Sequence, residues 1–251
     1  DYLLIGHYLG AEALGVYTLG FRIPDMVLTQ FARIVSEVIF PVYVKMKDNA
    51  QNLNRNFVRS LNYVSTITIP IGLGIALTAE PFVMTFFTDK WVEAIPVIRG
   101  IAIYALLLSL FRNAGSFYKA QGKPEVLTYL TIARLIILLP ALWIALMRTQ
   151  SITAVAWVQA GVALISGAMS LAVAARMFQI KIKDILVQYQ PGILSGLAMS
   201  ATVLGVLALL RQAPALAQLL AAGASGIIAY GGALWLQGPE RLQDTLGKIL
   251  S

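Results

Sequence analysis

The sequence contains no cysteine and a single histidine. The first absence excludes disulfides, thiolate metal sites and thiol nucleophiles. The second leaves little room for a metal centre, because imidazole is the commonest metal ligand. Charge is scarce as well: 12% of the 251 residues are charged, against about 25% in an ordinary soluble domain. No large polar loop interrupts the chain, and no stretch gathers His, Asp and Glu into a cluster able to perform acid–base chemistry.

What is present is apolar. Hydrophobic residues make up 58% of the chain, in runs such as "LTYLTIARLIILLPALWIALM" (127–147). Stretches of about 20 apolar residues match the hydrocarbon thickness of a bilayer. The runs are continuous and lack period-two alternation, so they read as helices and not as barrel strands. The expected fold is an all-α, polytopic transmembrane bundle. The net charge of +7 does not point to nucleic acid, because the basic residues fall mostly between apolar spans, not on a polar domain.

Eight spans are read. A short first run, Tyr2 to Leu9, precedes a small-residue turn at "GAEALG" (10–15). About twelve residues of helix rise only about 18 Å against a core of about 30 Å, so this span is expected to start upstream of Asp1. The others are 13–45, 57–84 (entered through the polar stretch "KDNAQNLNRN"), 92–118, 125–147 after Pro124, 152–178, 191–211 and 215–237. An amphipathic piece, "QIKIKDILVQYQ", precedes the seventh span, and the tail "GPERLQDTLGKILS" suits the headgroup layer.

Basic residues set the orientation. Lys45, Lys47, Arg55, Arg59, Lys119, Lys123, Arg176, Lys181, Lys183, Arg241 and Lys248 fall at alternate loops and the tail; the opposite loops hold only Lys90, Arg148 and Arg211. The positive-inside rule makes the first group, and hence the C-terminus, cytoplasmic.

Five arginines remain inside or near spans: Arg22, Arg33, Arg99, Arg112 and Arg134. At about 100° per residue, Arg22 and Arg33 return to nearly one face, with Asp25, Gln30 and Glu37 close to it. Intramembrane charges are costly and mark bundle interiors or watered cavities. Arg22, beside the helix-bending Pro24, reads as a cavity residue with Asp25 near it. Arg33 and Glu37, spaced i,i+4, read as a structural pair near the surface. Arg134 lies near mid-depth with no acid within four positions. Arg112 and His7 complete the candidate set, His7 because imidazole titrates near neutral pH. Arg99 reads as interfacial. A cavity with excess arginine suits an anion, since guanidinium grips phosphate bidentately.

"DYLLIGHYLGAEALGVYTLGFRI", "FPVYVKMKDN", "TDKWVEAIPVIRGIAIYAL" and "AQGKPEVL" resemble the polysaccharide transporter family of lipid-linked oligosaccharide flippases, in the superfamily that also holds multidrug extruders and lipid II flippases. Asp1, Gly6, Gly10, Gly15, Tyr17, Arg22 and Pro41 carry the pattern. The resemblance implies two six-helix lobes around a central cavity, often with two extra helices. Residues 1–180 would then be the second lobe, 181–190 a cytoplasmic connector, 191–238 the extra helix pair and 239–251 a cytoplasmic tail. It further implies an inner-membrane protein of exopolysaccharide or lipopolysaccharide assembly. Such a protein moves a polyprenyl-pyrophosphate-linked oligosaccharide by alternating access, without a cofactor. The expected partners are that lipid-linked sugar, membrane lipid, the N-terminal lobe and other assembly proteins, and no nucleic acid. The rival expectations are a multidrug exporter of the same superfamily and a membrane enzyme or subunit of polysaccharide assembly.

Overall fold

The computed structural model describes residues 1–46 and 49–238, which form seven long helices and no strand. They are α1 (Tyr2–Lys45), α2 (Ala50–Phe86), α3 (Ala94–Ala120), α4 (Glu125–Thr149), α5 (Ile152–Met177), α6 (Ile182–Leu209) and α7 (Ala215–Leu236), with a 3-10 turn at Asp89–Trp91 before α3. All seven are long and apolar enough to cross a bilayer. The all-α, multi-pass membrane architecture read from the apolar runs is therefore the one found.

The eighth run is the first arm of α1. Gly10 interrupts that helix with φ 86° and ψ 178°, a backbone region open essentially to glycine alone. The arm before it folds back on the arm after it. Sixteen residues of unbroken helix would separate Asp1 from Tyr17 by about 24 Å. Instead the Tyr17 hydroxyl donates to Asp1 Oδ2 at 2.9 Å, and the Tyr2 ring lies edge-on 5.8 Å from the Tyr17 ring. Gln159 Nε2 of α5 donates to the same carboxylate oxygen at 2.9 Å, tying the folded arm into the bundle.

Two boundaries differ from the sequence reading. The polar approach to the third span is largely helical already: α2 begins at Ala50, and the Asn49 side chain accepts the Asn52 N–H at 3.0 Å as an N-cap. The stretch 181–190 is not a separate connector but the opening turns of α6, which runs unbroken through Pro191. The expected tail, 239–251, lies outside the described residues.

The core gathers around α3, which packs on α1, α2 and α5. Near its C-terminal end a buried polar knot joins three helices. The Tyr43 hydroxyl lies 2.6 Å from Ser60 Oγ and 3.2 Å from Asn113 Oδ1, and Asn113 Nδ2 donates to Ser60 Oγ. Beneath it the Phe57 and Phe117 rings stack at 4.2 Å and 20°. At one point α3 and α5 meet more closely than side chains allow: the Phe111 ring covers Gly167 so tightly that an added Cβ would sit 1.8 Å from the ring. α6 and α7 pack on each other and on α2, where the Tyr230 hydroxyl donates to Thr66 O at 2.7 Å and Gln237 Nε2 to Ser195 Oγ at 2.8 Å.

Candidate functional site

α3 and α4 are joined by a tight turn in which Gly122 takes φ 69° and Pro124 precedes the first helical residue. The two helices leave that turn on neighbouring paths. Arg112 stands about 12 Å back along α3 and Arg134 about 14 Å along α4, so both reach a similar depth. Lys119 lies seven residues beyond Arg112, within about 20° of the same helical face and about 10 Å nearer the turn. All three line one open cavity of about 390 Å³, shared with Ser36 of α1 and with Ser166, Gly167 and Ser170 of α5.

The cavity is cationic. No Asp or Glu lines it, and none of its three basic residues forms an ion pair among the described residues. Arg134 is the deepest and the most constrained. Its Nη2 donates to the Tyr104 hydroxyl at 3.1 Å, and its guanidinium lies 5.8 Å from the Tyr104 ring centroid. Its Nε is buried and has no hydrogen-bond partner. A guanidinium in a bilayer costs roughly 2.5–3.5 kcal/mol on insertion scales. A buried donor left unsatisfied adds about 1–3 kcal/mol. An anion in the cavity relieves the first.

The hydroxyls have the opposite character. Ser36, Thr131 and Ser166 donate to the carbonyls of Ala32, Leu127 and Val162 in their own helices, at 2.8, 2.7 and 2.7 Å. Their oxygens remain available as acceptors, suited to water or to hydroxyl-bearing ligands. The cavity thus offers cations to an anion and acceptors to hydroxyl groups.

Of the residues singled out in the sequence, Arg112 and Arg134 meet in this cavity; Arg22, Asp25 and His7 do not line it. Arg22, Gln30, Arg33 and Glu37 are exposed. They lie about 180° around α1 from its packed face, where Tyr17, Gly20, Pro24 and Leu28 are buried. Asp25 accepts the Thr29 hydroxyl at 2.7 Å and makes no ion pair with Arg22. Arg33 and Glu37 form the expected i,i+4 pair at 3.0 Å, both side chains about two-thirds exposed (66% and 65%). Arg99 pairs with Glu80 at 3.0 Å. His7 is exposed, with the Tyr8 ring edge-on at 4.8 Å. Sequence reasoning missed Lys119, counted there as a loop cation, and the acceptor oxygens of Ser36, Thr131 and Ser166. The seven-residue spacing of Arg112 and Lys119 was the available signal.

Residues 1–96, which include all of α1 and α2 and the start of α3, match the family model described as polysaccharide biosynthesis protein. The chain is related to the polysaccharide biosynthesis proteins. It is 29% identical over 166 residues to the teichuronic acid biosynthesis protein TuaB of Bacillus subtilis, covering 66% of this chain and 34% of that protein. It is 27% identical over 140 residues to the lipopolysaccharide biosynthesis protein WzxC of Escherichia coli, 56% of this chain and 28% of the relative. The succinoglycan biosynthesis transport protein ExoT of Rhizobium meliloti is 23% identical over 132 residues, 53% of this chain and 27% of that protein. The matched region is thus about a third or less of each relative's length. The family expectation drawn from the opening motifs stands.

Proposed function

We propose that this chain forms one lobe of an inner-membrane flippase that carries a polyprenyl-pyrophosphate-linked oligosaccharide across the bilayer for cell-surface polysaccharide assembly. It acts as a transporter and not as an enzyme. The observation that carries this reading is the acid-free cavity of Arg112, Lys119 and Arg134. A pyrophosphate supplies the countercharge, and the sugars supply hydroxyl donors to the serine and threonine oxygens. The exposed polar face of α1 supports the same reading. A row of Arg22, Gln30, Arg33 and Glu37 turned away from the bundle is poorly suited to lipid. A second lobe facing it would enclose a watered path between the two, and rocking of the lobes would open that path to each side in turn. This lobe alone would then not transport.

The relatives' names, in polysaccharide biosynthesis and in succinoglycan transport, point the same way. Export of cationic drugs would call for carboxylates, and none lines this cavity.

The test is translocation of lipid-linked oligosaccharide by the full-length protein, in cells or proteoliposomes. Each charge-assisted contact to a phosphate contributes about 1.5–3 kcal/mol, roughly ten- to a hundredfold in binding. Arg134→Ala is expected to lower translocation at limiting substrate by at least that lower factor, with Arg134→Lys retaining part of it. Undiminished translocation by an Arg112→Ala, Arg134→Ala double variant, at matched membrane abundance, would overturn the assignment.

A further inference from the structure

A second basic pocket, of about 610 Å³, lies away from the cavity, where the first turns of α2 meet the α5–α6 turn and the start of α6. Arg55 and Arg59 line one wall, and Lys181 and Lys183 the other; the only acid among the lining residues is Asp184. None of these five forms an ion pair among the described residues. Hydrogen bonds fix the two walls together: Asn54 Nδ2 donates to Phe178 O at 2.9 Å, and Asn62 Nδ2 to Gln188 O at 3.0 Å. The fold thus brings the two pairs of exposed cations to facing helix starts.

Two further features say what belongs there. Lys181 is the N-cap of α6, and Lys183 and Asp184 lie in its first turn, so two cations and one acid sit at this helix end with no side-chain cap. Cations at the positive end of a helix are disfavoured, and an anion reverses the sign of that interaction. The second feature is the apolar part of the lining, Val58, Ile180 and Val187, which suits the glycerol backbone of a lipid and not a soluble anion.

We infer that this pocket binds the headgroup of an anionic membrane phospholipid such as phosphatidylglycerol, its phosphate placed among the four cations beside the α6 N-terminus. Membrane origin follows from position. The pocket lies at the start of two spanning helices, at the end of the bundle that carries the basic loops, where headgroups of the cytoplasmic leaflet lie. Apolar Val58, Ile180 and Val187 share its lining, and Val187 is 48% exposed beside Leu186 at 61%, a surface for acyl chain and not for water. An ethanolamine headgroup would carry its own cation into a cationic pocket. The site is independent of the cargo cavity.

The experiment is native mass spectrometry of the full-length protein, delipidated in detergent and titrated with phosphatidylglycerol or phosphatidylethanolamine. Wild type is expected to retain phosphatidylglycerol at least tenfold better than phosphatidylethanolamine. An Arg59→Gln, Lys183→Gln double variant is expected to lose most of that preference. Should the double variant unfold, Lys183→Gln alone is read, since Lys183 is exposed. Equal retention of phosphatidylglycerol and phosphatidylethanolamine by wild type, or full retention by the cation variants, would overturn the inference. So would displacement of the lipid by sn-glycerol 3-phosphate at equal concentration, which would make the site one for a soluble anion.

Discussion

Arg22 and Arg134 separate two ways in which a charge survives in a bilayer. Arg134 is partly buried against Tyr104 and held by its own bundle. Arg22 is exposed on the unpacked side of α1 and makes no ion pair among the described residues. Removing it should therefore leave the fold almost untouched, within about 0.5 kcal/mol as for surface sites generally. We expect Arg22→Ala to keep its thermal midpoint in detergent while translocation falls, and Arg22→Lys to recover part of the activity. A drop in midpoint with no separate effect on transport would make Arg22 structural. The sequence made Arg134 legible because a mid-span cation without a nearby acid is conspicuous. It hid Lys119, because a lysine at a helix end satisfies the positive-inside rule whether it faces water or turns into a cavity. It placed Arg22 on a polar face but could not say that this face looks away from the packed helices, since helical periodicity fixes relative angles and not which neighbour occupies them.

The helices show the same division. The number of apolar runs was readable, because each run has to match the bilayer, and their interior boundaries agree with α3, α4 and α5 to within a few residues. The starts of α2 and α6 were not. Composition changes where the chain enters hydrocarbon, whereas helical hydrogen bonding continues through the headgroup layer. The turn at Gly10 was signalled by its small residues, yet the contact of Asp1 with both Tyr17 and Gln159 is tertiary and left no local trace. That arm depends on one backbone conformation. Gly10→Ala places a side chain where only glycine rests easily, at a cost of about 1–3 kcal/mol. We expect it to lower the thermal midpoint of the purified protein by several degrees, with Gly15→Ala, at ordinary helical φ, as the harmless comparison. Equal midpoints for the two variants would show that the arm is not held by that turn.

For the molecule as a whole, the seven spanning helices and the folded arm give each connection a side. If the basic loops are cytoplasmic, the α3–α4 turn and the α5–α6 turn face the cytoplasm, and the α4–α5 connection at Gln150 faces the periplasm. Alkaline phosphatase fused after Gln150 should be active, and a green fluorescent protein fused after Gln121 or at the C-terminus should fluoresce. The reverse pattern would invert the bundle and put both basic pockets on the outer face. With the expected orientation, Lys119 stands at the cytoplasmic mouth of the cavity and Arg112 and Arg134 deeper in. A headgroup loaded from the cytoplasm would meet the cations in that order.

The seat of the Phe111 ring on Gly167 has a genetic consequence. Every single-base missense change in a glycine codon installs a residue with a Cβ, and at this position any Cβ collides with the ring. Position 167 is therefore expected to resist one-step change unless the ring of Phe111 swings aside, and a smaller residue at 111 removes the obstacle. In a random-mutagenesis library, substitutions at 167 should be recovered mostly alongside a smaller residue at 111, a pairing dictated by a single point of steric contact.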